Sequence, residues 1–278
     1  MTESSSLVMM WWAGMSAIAV LNVGLWFYAR SLAQERSTGY SDEIAKIKNL
    51  QIVLTGVFVF VCGFRSIVPR LDVLRLTLID SFISSVVVGR SLATVAELCF
   101  CAQWALILWE MGRSLRNSTL MSMSRVIVPM LAVAEVFSWY ACLTTNFLGS
   151  VIEESLWGTA AAIAVIGFWI GRSHYSGPQR RFLNTAIVCF TGYVIYMATV
   201  DVPNYIRGYL KAEAAGRIYT PVLEGFREVA TQWSVTRSYE DWQYGMVWMT
   251  LYFSIAVWGS LLIALAPRLD QTITRADG

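Results

Sequence analysis

Seven times along this chain a run of apolar residues about twenty long, the length that crosses a hydrocarbon core, is followed by a polar interruption. The runs predict helices near Leu7–Tyr28, Leu50–Val68, Ser81–Trp109, Val126–Asn146, Leu156–Gly171, Phe182–Val200 and Gly245–Ala266. The fold class expected is an all-α integral membrane protein of about seven transmembrane helices, with residues 1–278 as a single polytopic membrane domain. The first run lacks a basic stretch ahead of it and is too long for the core of a signal peptide, so it reads as a spanning helix. No internal repeat is visible, and an odd number of spans does not suggest inverted repeats.

Residues 201–244, the longest non-spanning stretch, form an extracytoplasmic helical connection in this reading. Leu223, Phe226, Ala230 and Trp233 recur there at helical spacing, while Glu224, Arg227 and Glu228 fall elsewhere. That is the pattern of an amphipathic helix lying in the interface between helices 6 and 7. Tyr205, Tyr209, Trp233, Trp242 and Tyr244 are expected at headgroup depth. With the N-terminus outside and the C-terminus inside, the inner side receives twelve Lys and Arg, including Arg275, and the outer side nine. That modest excess points the way the positive-inside rule requires.

Composition agrees with a membrane setting. Of 278 residues, 56% are hydrophobic and 14% charged, against about 25% charged in soluble domains. An inner (plasma) membrane location is expected, with the bilayer itself as a partner and oligomerisation left open. A net charge of +2 without a basic run gives no support for nucleic-acid binding. The five cysteines lie in apolar segments as packing residues, and none forms a CxxC pair. One histidine, His174, excludes His-rich metal centres. No metal site and no cofactor are expected.

Charges inside the apolar runs carry the functional signal, because each costs about 2.5–3.5 kcal/mol at the centre of a membrane helix. Arg65 ends helix 2, and the loop after it holds Arg70, Asp72, Arg75 and Asp80. Arg90, Glu97 and Trp104, seven apart, share one stripe of helix 3, with Thr94 and Cys101 beside it. Glu135, Trp139 and Cys142 share a stripe of helix 4. Glu153 and Glu154 precede helix 5, and Asp201 closes helix 6 shortly before Tyr205. Inward-facing stripes let Arg65 or Arg90 pair with Glu97 or Glu135, as buried charge requires. Glu110, three residues before Arg113, reads as half of a surface pair.

Such residues either fix helix register or line an outward-facing pocket. Their number favours a pocket, with Arg65, Arg90, Glu97, Glu135, Glu153, Glu154, Asp201 and Tyr205 as the ligand-binding candidates. Binding or transport of a small solute or lipid, polar or amphipathic, is the leading function. A membrane-embedded enzyme using carboxylate acid–base chemistry on a lipid or isoprenoid is the alternative, followed by a structural or assembly subunit. Seven spans invite comparison with rhodopsins, but retinal needs a lysine in a span, and Lys46, Lys48 and Lys211 all fall outside helix 7. GxSxG and GxxxxGK[ST] sequences are absent. Glu153-Glu154 resembles the acidic dyad of membrane lycopene cyclases. Val151-Ile152 stands where that family usually has a proline two places earlier, and so short a likeness does not assign the chain to it.

Overall fold

The computed structural model describes residues 3–37 and 40–270; Arg275, counted above on the inner side, lies outside them. Among the described residues, nine of ten α-helical segments make seven helices long and apolar enough to cross a membrane, so the protein is an all-α, multi-pass membrane protein. The segments are α1 (Glu3–Ser37), α2 (Asp42–Ile67), α3 (Val86–Ser114), α4 (Ser118–Thr144), α5 (Phe147–Gly171), α6 (Gly177–Tyr196), α7 (Val202–Ala214), α8 (Val222–Thr231), α9 (Tyr239–Thr250) and α10 (Val257–Ala264). Large apolar side chains such as Val20, Phe27, Val136, Val188, Ile195 and Ile255 stay exposed on these helices, as a lipid-facing surface demands.

Two corrections concern where helices begin and end. The sixth span does not end at Asp201, because a π-helical turn, Met197–Asp201, joins α6 to α7 without a break. Pro203 lacks an N–H and would crowd the carbonyl four residues back in a regular helix; the wider π turn just before it removes that conflict. Helix α5 begins at Phe147, so Glu153 and Glu154 lie in its second turn rather than ahead of it. Lys46 and Lys48 likewise fall in the first turns of α2, which starts earlier than the apolar run, while the last span still carries no lysine.

The chain divides into two compact units. The first comprises residues 1–100, 139–146 and 219–265. Here α1 runs along α2, α9 packs on α1, and α10 packs on both. Polar side chains fix these helices to one another in the absence of a hydrophobic driving force between spans. Trp11 Nε1 donates to Thr250 Oγ1 at 3.0 Å, Trp26 Nε1 to the Ile52 carbonyl at 3.1 Å, and Thr55 Oγ1 to the Ser260 carbonyl at 3.3 Å. A second π turn, Leu251–Ala256, links α9 to α10. Inside it the Phe253 carbonyl accepts from Asn22 Nδ2 at 2.8 Å, and Asn22 Oδ1 accepts from Trp258 Nε1 at 2.9 Å.

A small sheet closes one end of this unit. Strands β1 (Arg70–Leu71) and β2 (Leu76–Thr77) pair antiparallel, and β3 (Ser234–Val235) adds parallel to β2. Arg75, in the turn between β1 and β2, takes a left-handed backbone (φ 53°), uncommon for a residue with a side chain. Its guanidinium reaches the Leu143 and Cys142 carbonyls at 3.3 and 3.5 Å, satisfying the last turn of α4, and pairs with Glu228 of α8. Thr220 N–H donates to the Thr144 carbonyl at 3.2 Å. Helix α8 thus lies against the end of α4, with Val229 packed among Val86, Cys142 and Leu143.

The amphipathic helix expected in this region is α8. Leu223 and Phe226 are 87% and 58% exposed, as an interfacial face should be, while Gly225 and Val229 turn toward the protein. Trp233 lies beyond the helix end, where its Nε1 donates to Asp80 at 2.9 Å. Trp242 does not lie on the surface: it is fully buried, donates to the Thr236 carbonyl at 2.9 Å and leans on Trp11.

The second unit comprises residues 101–138, 147–218 and 266–278, of which the last eight are undescribed. Helix α5 packs on α6 and α7 around Trp104, Trp157, Phe168 and Phe190, which meet edge to face. Glu110 is buried here, which overturns its reading as a surface pair. Its Oε1 accepts the Leu269 N–H at 2.8 Å, and Tyr175 Oη donates to the Leu269 carbonyl at 2.8 Å. Both backbone groups of Leu269 are therefore held, and its side chain is fully buried.

Candidate functional site

The densest buried polar set of the first unit grows from α2, α3, the β1 loop and the last span. Arg65 stands one turn from the C-terminus of α2, a favourable position for a cation. Arg90 and Glu97 are two turns apart on α3, so their side chains project along one stripe and meet, with Arg90 Nη2 2.5 Å from Glu97 Oε2. The other carboxylate oxygen of Glu97 lies 3.6 Å from Arg65 Nη1 and accepts the Tyr252 hydroxyl at 3.4 Å. Arg65 also donates to Asp72 Oδ2 at 3.3 Å, and Asp72 Oδ1 lies 2.8 Å from Arg70 Nε. One chain of contacts therefore runs Arg90, Glu97, Arg65, Asp72, Arg70. Arg65, Arg70, Arg90 and Glu97 are all at most 6% exposed.

Aromatic rings complete the surroundings. The Arg65 guanidinium lies 5.8 Å from the Trp248 ring centre and 5.7 Å from that of Phe253, within range for cation–π attraction. Tyr252 stacks on Trp248 at 5.3 Å and meets Phe58 edge-on at 5.7 Å, so its hydroxyl is held toward Glu97. Trp248, Tyr252 and Phe253 belong to α9 and the π turn after it; π turns recur at functional positions because they re-aim side chains. Beside them, Thr94 Oγ1 accepts from Trp139 Nε1 at 3.2 Å.

The remaining candidates belong to the second unit. Glu135 of α4 and Glu153 of α5 are buried, and their carboxylate oxygens lie within 4.8 Å of one another. Glu154 is half-buried on the next position of α5. Asp201, 1% exposed in the π turn between α6 and α7, accepts the Tyr196 hydroxyl at 3.5 Å. Tyr205 is half-buried on α7, with its ring 6.2 Å from that of Phe147.

The pairing of Glu97 with both Arg65 and Arg90 is thus among those the sequence spacing allowed. Asp72, Tyr252, Trp248 and Phe253 joined the set without being singled out as binding residues. Trp248 and Tyr252 stand four apart in the last span, a helical face that reads equally well as an interfacial aromatic belt. No known protein family, characterised protein or solved structure matches the chain.

Proposed function

We propose that this multi-pass protein binds a small polar or amphipathic ligand at the buried ionic set around Glu97 and carries it across the membrane, most simply the plasma (inner) membrane. The observation behind this reading is the surplus of partners. Glu97 faces two guanidinium groups and a tyrosine hydroxyl, and Arg65 faces two carboxylates and two rings. One ion pair is enough to fix the register of two helices. A set in which each member has an alternative partner can give up one contact to a charged ligand group without leaving a buried charge bare. The rings offer an apolar and cation–π wall for the rest of the ligand. With the N-terminus outside, as the basic residues favour, the β1 loop and α8 lie on the outer side and the ligand is met from there.

A second reading, an enzyme acting on a lipid by carboxylate chemistry, draws on Glu135 and Glu153, whose carboxylate oxygens lie within 4.8 Å of one another. Both readings are tested by comparing the solute and lipid contents of cells carrying wild type, Glu97→Gln or Glu135→Gln at matched membrane abundance. Transport predicts that Glu97→Gln abolishes a solute redistribution which wild type produces. Accumulation of a lipid precursor with Glu135→Gln selects the enzyme. If neither variant changes any small molecule and both only lower stability, the charges are structural and the proposal fails.

A further inference from the structure

Helix α3 starts from an unusual place. Ser85 precedes its first residue with an extended backbone (φ −63°, ψ 150°), the N-cap position at which a serine oxygen ordinarily accepts a first-turn N–H. Here the Ser85 hydroxyl has no partner although the residue is fully buried, and the neighbouring Ser84 hydroxyl, on a residue 1% exposed, has none either. Gly89 makes the first bond back to Ser85, so the N–H groups of Val86, Val87 and Val88 have no acceptor within the helix.

Against this turn lies a cation. The Arg70 guanidinium rests on Gly89, where a β-carbon would fall 1.1 Å from its central carbon. Arg70 is 2% exposed; Nη1 donates to the Ser85 carbonyl at 3.0 Å, Nε faces Asp72 at 2.8 Å, and Nη2 has no partner. Asp72 is shared with Arg65. Burial lowers the Arg70 pKa from its ordinary value, Asp72 opposes this, and Arg65 and Arg90 add to it. A buried guanidinium is thereby held at the positive end of a 29-residue helix, where the helix dipole repels it. Asp72 Oδ1 and Arg70 Nε face each other, and the other side-chain groups without a hydrogen-bond partner here, Arg70 Nη2 and the two serine hydroxyls, can all donate. An anion bound here would resolve both the repulsion and the orphaned donors.

We propose that a small monovalent anion of the halide class binds at the N-terminus of α3, held by Arg70, by the Ser84 and Ser85 hydroxyls and by the first-turn N–H groups. The site uses the far end of the contact chain that starts at Glu97, sharing Arg70 with it and nothing else, and stands whether or not Glu97 meets a ligand. The test uses the full-length protein purified in detergent and unfolded thermally in sodium chloride or sodium gluconate at equal ionic strength. Chloride is expected to raise Tm saturably and gluconate, too large for a buried site, is not. The double variant Ser84→Ala, Ser85→Ala removes hydroxyls that bond nothing in the protein, so it is expected to fold and to lose the chloride response. Bromide in place of chloride is expected to give an anomalous diffraction peak beside Arg70. Equal melting in both salts, an undiminished chloride response in the double variant, or a bromide peak elsewhere only, overturns the proposal.

Discussion

Gly225→Ala offers the sharpest test of how α8 is held. A β-carbon at this position would stand 2.3 Å from the Leu143 carbonyl oxygen, 2.8 Å from its carbon and 3.0 Å from its Cα. These are backbone atoms, and they cannot step aside: the same carbonyl accepts from Arg75 at 3.3 Å, and the next one accepts from Thr220 at 3.2 Å. So α8 must move instead. Overpacking costs about 1–3 kcal/mol, and loosening the charged Arg75–Glu228 bond adds about 1.5–3 kcal/mol. Alanine returns about 1 kcal/mol of helix propensity. The balance is about 1.5–5 kcal/mol against docking, which converts to roughly tenfold or more in local opening at 1.4 kcal/mol per tenfold. Hydrogen exchange read by mass spectrometry should show residues 222–231 exchanging faster by that factor while amides of α1 and α2 keep their rates. Gly24→Ala, where nothing lies within 4 Å of the new carbon, serves as the control and should change neither. Unaltered exchange of α8 in Gly225→Ala would refute the close packing of α8 on α4.

Three further outcomes follow from the structure. Arg90→Gln and Glu97→Gln should each cost about 3–5 kcal/mol in chemical denaturation, with the double variant costing clearly less than their sum; additivity would mean that the pair is not energetically coupled. Tyr175, whose pKa is pushed up to about 12 by burial above all, with Ser114 opposing and Glu110 and Asp270 adding, stays protonated in the folded protein after it would ionise in the unfolded chain. Its contribution is therefore complete below about pH 10 and fades as pH rises toward 12, so wild type should lose Tm across that window more steeply than Tyr175→Phe; parallel curves would contradict this. A membrane-impermeant maleimide added to intact cells should label Arg227→Cys and leave His174→Cys unlabelled until the membrane is opened, and the reverse pattern would invert the orientation proposed here.

How far the sequence carried these conclusions depends on the kind of signal. Uninterrupted apolar runs located all seven spans, since nothing but length and hydropathy decides that. Helix ends were harder, because Pro203 carries the same local signature whether it stops a helix or, as here, follows a π turn that accommodates it. The Arg90–Glu97 contact was visible because both residues belong to one helix at a spacing of two turns. The contacts of Glu97 with Tyr252 and of Arg65 with Trp248 join residues far apart in the chain, where periodicity carries no information. Glu110 was misread for a related reason: the i+3 arginine was the only partner in view, and its actual acceptor role is toward Leu269, 159 residues later.

Cys62 reports most directly on whether the Glu97 set opens to an aqueous ligand. It is 2% exposed, sits one helical turn before Arg65, and feels the charges of both Arg65 and Glu97. A small charged methanethiosulfonate added from the outer side to protein in its membrane should modify Cys62 slowly, and Cys62→Ser should remove that modification. If Cys62 reacts only after denaturation, the ionic cluster is sealed in the native protein, and the ligand-binding account is wrong.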